Sequence, residues 1–242
     1  MRIEVLTLFP GLFGPFLAEG LMGRARENGL VETGLTHLRE FGMGRHRVVD
    51  DIPYGGGAGM VLKPEPVFGA ARRIAQGLNE QGLKPHYILV TPQGVPFNQA
   101  KARQLAGRQE ALVFICGRYE GFDERIRQGL ADEEISGGDF ICLGGEVIAM
   151  AIMEAVIRLI PGVLGNPEST LHESFSAGGL EYPQYTRPPE FEGMGVPQVL
   201  LSGNHQAIAR WREAQTLERT RLKRPELLST PLETFHPLGK QG

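Results

Sequence analysis

The sequence predicts an α/β fold with a mainly parallel sheet, followed by a small helical domain. Two observations lead to this prediction. Through about residue 160, short apolar runs alternate with segments of helical period, the pattern of βα units. After Pro161 the composition shifts to Gly, Pro, Ser and Glu before a helical period returns. We therefore expect an α/β domain at 1–160, a flexible linker at 161–190 and a helical domain at 191–242.

Local patterns place the first elements. An alternating apolar run predicts a strand at 3–9, which Pro10-Gly11 ends. Helical spacing then predicts a helix at 14–28, and its core-facing side chains would be Phe16, Leu17, Leu21 and Ala25. A second strand is expected at 30–38, and the glycine-dense segment 50–60 cannot form regular structure. Because that segment carries an aromatic residue and two carboxylates, we interpret it as a functional loop.

The remaining elements follow from the same patterns. Prolines in its first turn predict a helix at 63–82, and Asn98 is expected to cap a helix that ends near 108. In the C-terminal part, Gly203-Asn204 opens a helix over about 205–222, with Ile208, Trp211 and Leu217 on its apolar side. The other predicted elements are a strand at 86–91, an irregular loop at 92–96, a strand at 111–116, a short helix at 122–130, a strand at 139–143 and an apolar helix at 146–160.

Length, cysteines and charge limit the class of protein. The chain of 242 residues is long enough to bury a core, and its two cysteines, Cys116 and Cys142, suggest neither a disulfide framework nor a zinc site. We find no signal peptide and no apolar run long enough to span a bilayer, so we expect a cytoplasmic protein with no membrane partner. The net charge of −3 argues against a uniformly cationic nucleic-acid coat.

Three glycine-bearing loops follow predicted strands: TPQG at 91–94, CGRYEG at 116–121 and SGGDFICLGG at 136–145. Ligands of open α/β sheets collect at the carboxyl ends of strands, and glycine lets a ligand lie against the main chain. Such loops can also be ordinary turns. Three of them could together form a pocket for a nucleoside-sized cofactor. The absence of a P-loop and of a G-x-G-x-x-G fingerprint disfavours ATP and NAD, and leaves room for an adenosyl ligand.

Several charged residues are candidates for chemistry. Glu120, in the second loop, could meet a cationic ligand or be a solvated loop residue. Arg158, late in an apolar helix, needs an anionic partner if it is buried, although snorkelling at a helix end is common. Glu173 or His172, in the linker, could act as a base if the linker folds over a substrate.

A basic stripe lies in the C-terminal part. The segment 205–224 contains six basic residues and two acidic residues, Glu213 and Glu218, so it has an excess of four positive charges. Such a stripe can bind a phosphate backbone, or be a solvated helix face. The basic residues are Arg210, Arg212, Arg219, Arg221, Lys223 and Arg224.

Many motifs together resemble one family, the bacterial tRNA (guanine-N1)-methyltransferases. The resemblance covers nearly the whole chain. The motifs are LTLFPGLF at 6–13, VVDDIPYGGGAGM at 48–60, CGRYEGFDERI at 116–126, GGDF and LGGE within 137–146, IPGVLGN at 160–166, ESF at 173–175, YTRPPEFEGMGVP at 185–197, LLSGNH at 200–205 and RTRLKRPELL at 219–228.

The resemblance implies a SPOUT-class methyltransferase, a homodimer whose N-terminal domain contains a deep trefoil knot that binds S-adenosyl-L-methionine. It implies methylation of N1 of the guanosine immediately 3′ of the anticodon in tRNA, in active sites shared between subunits. It allows for Mg²⁺ as an activity requirement, without a metal site that we can name.

The resemblance also assigns site residues. Glu173 becomes the general base and Arg158 its helix-end partner, while Ser169, Glu181 and the six basic residues contact tRNA. The family carries Asp where this chain has Glu173, so the carboxylate is kept with one more methylene. The third loop departs from the family, with Gly137, Leu143 and Ile148 where Ile, Ser and Pro are expected. The cofactor residues are Pro92, Gln93, Gly117, Tyr119, Glu120, Gly121, Gly137, Gly138, Asp139, Phe140, Ile141, Cys142, Gly144 and Gly145.

Two other classes compete with this hypothesis. A nicotinamide-dependent oxidoreductase would also use glycines at strand ends, but the missing fingerprint counts against it. A non-enzymatic RNA-binding module would explain the basic stripe. It would not explain a glycine-lined pocket together with Arg158 and Glu173.

Overall fold

The computed structural model describes residues 1–166, 170, 173–176 and 178–228. The chain divides into two compact units, Met1–Gly165 (unit 1) and Asn166–Gly242 (unit 2). None of the helices in the described part of the chain combines the length and the apolar character needed to cross a bilayer.

Unit 1 alternates strands and helices. Its strands are β1 (Arg2–Thr7), β2 (Glu32–His37), β3 (Asp50–Asp51), β4 (Val61–Leu62), β5 (Pro85–Pro96), β6 (Ala111–Cys116) and β7 (Glu133–Ser136). Its helices are α1 (Phe13–Ala18), α2 (Gly20–Glu27), α3 (Pro64–Asn79), α4 (Gln99–Ala106), α5 (Glu124–Gly129) and α6 (Glu146–Ile157). As predicted, Asn98 caps α4, since its side chain accepts a hydrogen bond from the Lys101 N–H.

One parallel sheet organises unit 1, in the strand order β2-β1-β6-β5-β7. The central strand β6 is buried along its whole length. Leu112 and Phe114 join one apolar cluster, which includes side chains of α1, α2, α4 and α6. Val113 and Ile115 join the other, with α3 and α5. Helices thus cover both faces, as a parallel sheet requires, and the predicted α/β class is confirmed.

Three predicted elements were wrong in detail. The strand expected at 139–143 is an exposed loop, and the last strand of the sheet is β7, which begins six residues earlier and whose two glutamates made it look polar. The helix expected at 14–28 breaks at Glu19, which is extended with φ −100° and ψ 155°, and Leu21 points to solvent. The loop expected at 92–96 continues β5, but Val90 and Val95 both pair with Ile135, so the residues between them bulge.

Unit 2 is small and mostly irregular before its helices. Among the described residues between 158 and 189 there is neither an α-helix nor a β-strand. The elements that follow are the hairpin β8 (Glu190–Phe191) and β9 (Met194–Gly195), then α7 (Gln198–Leu201) and α8 (His205–Lys223). Asn204 caps α8 by accepting a hydrogen bond from the Ala207 N–H. Ile208 and Trp211 are half-buried as expected, whereas Leu217 is exposed.

Candidate functional site

The three glycine loops meet at one edge of the sheet. Their strands β6, β5 and β7 are neighbours, so the carboxyl ends of parallel strands bring the loops together. The loops line a cavity of about 390 Å³. The sequence predicted this convergence from the positions of the glycines alone.

Nearly all of the predicted cofactor residues line this cavity. They are Pro92, Gln93, Gly117, Tyr119, Glu120, Gly121, Gly137, Phe140, Ile141, Cys142, Gly144 and Gly145. Gly138 and Asp139 belong to the same loop but are not part of the lining. Arg118, Arg127 and Ile148 also line the cavity, although they were not among the predicted binding residues.

The absence of a side chain at Gly145 lets two loops touch. A Cβ atom there would lie 3.1 Å from each of three atoms, Cys116 Cα, Gly117 N and Val90 Cβ. The Gly145 N–H donates to the Gly117 carbonyl over 2.9 Å. This segment therefore lies directly on the backbone that ends β5 and β6, and a larger residue would push the loops apart.

A buried ion pair connects the second loop to the start of α6, directly after the third loop. Glu146, the first residue of α6, is only 1% exposed, and its Oε1 accepts a hydrogen bond of 2.7 Å from the Thr7 hydroxyl. Its Oε2 accepts from Arg118 Nε over 2.9 Å, and Arg118 also donates to the Leu143 carbonyl. The Arg118 guanidinium lies 4.2 Å from the centre of the Phe9 ring. Arg118, in the second loop, thereby contacts the segment that follows β1, the third loop and α6.

This ion pair was not predicted, although the sequence contains a signal for it. Glu146 is the one acidic residue in the apolar run from Leu143 to Met153, and it directly follows Gly144-Gly145. A carboxylate at the first position of an apolar helix benefits from the positive end of the helix dipole. Its presence there indicates a buried partner, because an unpaired buried charge is costly.

The glycine-dense loop between β3 and β4 also reaches the cavity. The Glu120 N–H donates to the Met60 carbonyl over 2.9 Å, and the Leu62 N–H donates to the Gly121 carbonyl. Gly59 has φ +81°, and a Cβ atom on it would lie 2.2 Å from Glu120 Oε1. Gly59 thus leaves the space in which the Glu120 side chain sits at the cavity.

Gly137 and Ile148, two of the departures from the family pattern, compensate for each other in size. A Cβ atom on Gly137 would lie 2.6 Å from Ile148 Cδ1. Ile148 occupies the space that a larger residue at position 137 would need. The side chain of Ile148 therefore fills the space beside Gly137 in the wall of the cavity.

The proposed catalytic residues lie in different units. Arg158 is the half-buried C-cap residue of α6 in unit 1, and its N–H donates to the Glu154 carbonyl. Glu173 is half-buried in unit 2, and its carbonyl accepts from the Ser176 N–H over 3.1 Å. His172, the other candidate base, lies outside the described residues.

The predicted tRNA contacts belong to unit 2, and one of them, Ser169, lies outside the described residues. The Glu181 N–H donates to Ser174 Oγ over 3.0 Å, and the Glu181 carboxylate accepts from Gln184. Arg224 forms an ion pair with Glu226 and lies 5.7 Å from the Phe175 ring centre. The other predicted contacts are on α8: Arg210, Arg212, Arg221 and Lys223, which are exposed, and Arg219, which is half-buried.

The described part of the chain contains no group of three or more His, Cys, Asp and Glu side chains that could hold a metal ion. Cys116 is buried at the end of β6, and burial raises the pKa of its thiol well above its usual value. This thiol is therefore a packing residue and not a nucleophile.

Comparison with known proteins gives a consistent result. The family model described as tRNA (Guanine-1)-methyltransferase TrmD matches residues 1–230. Proteins named tRNA (guanine-N(1)-)-methyltransferase are similar over almost their whole length. The one from Syntrophotalea carbinolica is 59% identical over 230 residues, covering 94% of this chain and 90% of the relative. The one from Geobacillus kaustophilus is 56% identical over 228 residues, covering 94% and 91%.

A third relative, from Geotalea uraniireducens, carries the same name and is 53% identical over 229 residues, covering 95% of this chain and 91% of the relative. The match includes the three glycine loops and the basic helix α8. The chain therefore belongs to the tRNA (Guanine-1)-methyltransferase TrmD family.

Proposed function

We propose that this chain transfers a methyl group from S-adenosyl-L-methionine to N1 of the guanosine immediately 3′ of the anticodon in tRNA. Family membership makes the chain a methyltransferase. The observation that carries the finer proposal is the cavity of about 390 Å³ between the three glycine loops of unit 1. A cavity of this size suits a small-molecule cofactor.

The residues of the cavity fit S-adenosyl-L-methionine. Gly117 and Gly144 bring main-chain groups to the cavity, and adenosyl nitrogens and hydroxyls can bond to such groups. The Glu120 carboxylate lines the same cavity and would offset the positive charge of a sulfonium. When bound, this cofactor supplies an electrophilic methyl group on a positively charged sulfur.

Two side chains of the chain itself would act on the guanine. N1 carries a proton and is a poor nucleophile until that proton leaves, so a positioned carboxylate is needed. Glu173 accepts this proton. As N1 loses it, negative charge spreads toward O6, where the Arg158 guanidinium donates hydrogen bonds. The N1 lone pair would then form the new N–CH₃ bond as the bond between that methyl carbon and the cofactor sulfur breaks, so that the cofactor would leave as a neutral thioether while the proton stays on Glu173.

An exposed apolar surface supports the proposal of a homodimer with active sites at the subunit interface. Phe140, Ile141, Leu143 and Val147 are each more than half exposed and lie in the third loop and the first turn of α6. Contiguous apolar surface of this kind marks an interface. A second copy of this chain covering it would bring a partner's residues to the edge of the cofactor cavity.

A trefoil knot is supported by the path of the chain after β7. β7 lies at the edge of the sheet, beyond β5, yet Gly144 bridges to Arg118 in the loop after β6. The chain then continues as α6, whose apolar side chains pack in the same cluster as Phe114 of β6. A return path across two loops of one sheet supports a threaded chain, which few folds have.

Binding of tRNA is assigned to unit 2. Arg210, Arg219, Arg221 and Lys223 of α8 have no carboxylate partner within the described residues, so they are available to phosphates. Ser169 and Glu181 are proposed contacts near the target base. Neutralising the α8 residues should reduce the salt dependence of tRNA affinity, while an unchanged slope would make this a solvated helix face.

The proposal is tested by incubating the protein with unmodified tRNA and methyl-labelled cofactor, followed by mass mapping of the nucleosides. We expect one methyl group at N1 of the guanosine 3′ of the anticodon, and none when that guanosine is replaced by adenosine. Binding of tRNA without methyl transfer would favour the RNA-binding module. Calorimetric binding of a nicotinamide cofactor in place of S-adenosyl-L-methionine would favour the oxidoreductase. Adding EDTA to the same assay tests the Mg²⁺ requirement.

A further inference from the structure

Unit 2 contains a second cavity, of about 340 Å³, that the proposed mechanism does not use. The segment 182–189 forms one wall, and Leu200, Ile208 and Arg212 contribute to the other. All of the lining residues belong to unit 2 and are described. The volume lies within the range of cavities that hold small organic groups.

Aromatic rings and arginines line this cavity together. Tyr182 and Tyr185 supply the rings, and Arg187 and Arg212 supply positive charge. Tyr185 is 49% exposed as a residue, and the centre of its ring lies 6.4 Å from that of Trp211, with the two planes inclined at 52°. One side of Tyr185 is therefore supported by Trp211, while much of the ring surface is open to a ligand.

The two arginines are not neutralised. Within the described residues neither Arg187 nor Arg212 forms an ion pair with a carboxylate. The Arg212 guanidinium lies 4.6 Å from the centre of the Tyr182 ring, a cation–π contact that holds it at the cavity. A ligand that satisfies this site carries both a flat apolar surface and an anionic group.

We propose that this cavity binds an unpaired nucleotide of the tRNA substrate, different from the guanosine that is methylated. Its base stacks on Tyr185 and its phosphate pairs with Arg187 and Arg212. Paired bases hide their faces in the helix, whereas unpaired bases stack on aromatic side chains. The positive excess of α8, which carries Arg212, selects a polyanion over a neutral partner. The inference rests on the proposed tRNA methyltransferase function, and adds a second point of contact with the same RNA.

The chain provides its own reporter for this site, because Trp211 is its single tryptophan. The experiment titrates the full chain with an RNA hairpin that carries the anticodon stem and loop of a substrate tRNA. Trp211 emission reports occupation of the cavity, and anisotropy of a labelled hairpin gives Kd. Hairpins with one abasic loop nucleotide at a time identify the bound base.

We expect saturable change of Trp211 emission with the intact hairpin. Removing the base at one loop position other than the target should raise Kd about 5- to 150-fold, the range for loss of one base–aromatic stack. Tyr185→Leu should raise Kd to a similar extent, and should add no further loss with that abasic hairpin. Phe191→Leu, which removes an exposed ring of the same unit outside the cavity, is the control and should leave Kd unchanged.

The outcomes separate this inference from the proposed function. If the hairpin binds and is methylated without changing Trp211 emission, the cavity is not the nucleotide site. The inference is also overturned if, for every abasic hairpin, the loss of binding free energy adds to the loss caused by Tyr185→Leu. Arg187→Gln provides a second test in case the Tyr185 variant does not fold. It leaves the packed rings in place and should lower the salt dependence of hairpin binding. Failure of the intact chain to methylate full-length tRNA would instead contradict the proposed function.

Discussion

The guanidinium of Arg118 lies 2.8 Å from the carboxylate of Glu146, and this buried pair joins the loop after β6 to the start of α6 beside the cavity of unit 1. Arg118 belongs to the loop after β6, and Glu146 begins α6. Thr7, at the end of β1, completes the carboxylate's hydrogen bonds. Charge and hydrogen bonds therefore join three segments next to the cavity, whose lining includes the glycine backbone of the loops.

Glu146→Gln should destabilise the protein and weaken cofactor binding together. The substitution leaves the Arg118 charge, which is 18% exposed, without its partner. Removing one member of a buried pair costs about 3–5 kcal/mol. Urea unfolding measures the free energy of unfolding, and calorimetry with S-adenosyl-L-methionine measures the affinity.

Arg125→Gln is the matched control for that variant. Arg125 pairs with Asp123 through an exposed guanidinium, so its loss should cost under about 1 kcal/mol. Equal losses of stability in the two variants would show that the Arg118–Glu146 pair has no special role in the fold.

Gly59→Ala should impair cofactor binding through Glu120. Gly59 adopts φ +81°, and the added Cβ would collide with the Glu120 carboxylate. Glu120 must then move, and the cavity loses the negative charge that we assign to the sulfonium. We expect the Kd for S-adenosyl-L-methionine to rise at least ~10-fold, about 1.4 kcal/mol.

Gly56→Ala separates this collision from backbone strain. Gly56 has a similar φ of +78°, but nothing lies within 4 Å of the position of an added Cβ. Both alanines experience the cost of a left-handed conformation, on the order of 1 kcal/mol. If the two variants lose cofactor affinity equally, the contact between Gly59 and Glu120 does not shape the site.

Stability in acid should depend on Glu133, at the opposite end of the sheet from the cavity. A hydrogen bond from His86, supported by Lys101, lowers the pKa of Glu133 from 4.5 to about 2. Because the folded-state pKa lies below the unfolded one, the stabilisation is present above pH 4.5 and is lost as the pH falls toward about 2. Its size is roughly 3 kcal/mol.

Unfolding of Glu133→Gln between pH 5 and pH 2 checks this dependence. The variant should be less stable than the parent at pH 5, and the difference should shrink as the pH falls. Glu27→Gln, at an exposed helix position, should follow the parent curve. A constant difference between Glu133→Gln and the parent across this range would mean that Glu133 does not carry the acid sensitivity.

Much of the fold could be predicted because local patterns and tertiary packing agree. The apolar run Ala111–Cys116 is a strand in the sequence pattern and the buried central strand of the sheet. The prediction failed at 139–143, where Phe140, Ile141 and Leu143 have the composition of a strand but are exposed in one chain. An apolar composition indicates that a segment is buried. It does not show whether the segment is buried against the protein's own core or against a partner chain.

The cavity could be predicted only in part. Glycines at strand ends mark where loops approach closely, so most of the lining was accessible from sequence. Arg118 was not selected, because its role depends on Glu146, 28 residues later, and on Thr7, 139 residues before Glu146. Nothing local joins these three residues. The second cavity was missed for the same reason, since Tyr185 and Arg212 come from an irregular segment and from a helix.

The central claim is that the Glu173 carboxylate removes the N1 proton of guanine while the cofactor occupies the cavity of unit 1. Glu173→Gln keeps the shape of the side chain and removes its basicity. Glu173→Asp restores the residue expected from the family and serves as the control. Its rate should remain closer to that of the parent than the rate of the glutamine variant.

The most direct measurement is the single-turnover rate of methyl transfer to unmodified tRNA by Glu173→Gln, with the Kd for S-adenosyl-L-methionine measured on the same preparation. We predict a rate at least ~100-fold below that of the parent and an unchanged Kd, as expected for loss of a general base. A parental rate would contradict the account and move the base elsewhere, with His172 and Asp139 as the next residues to test.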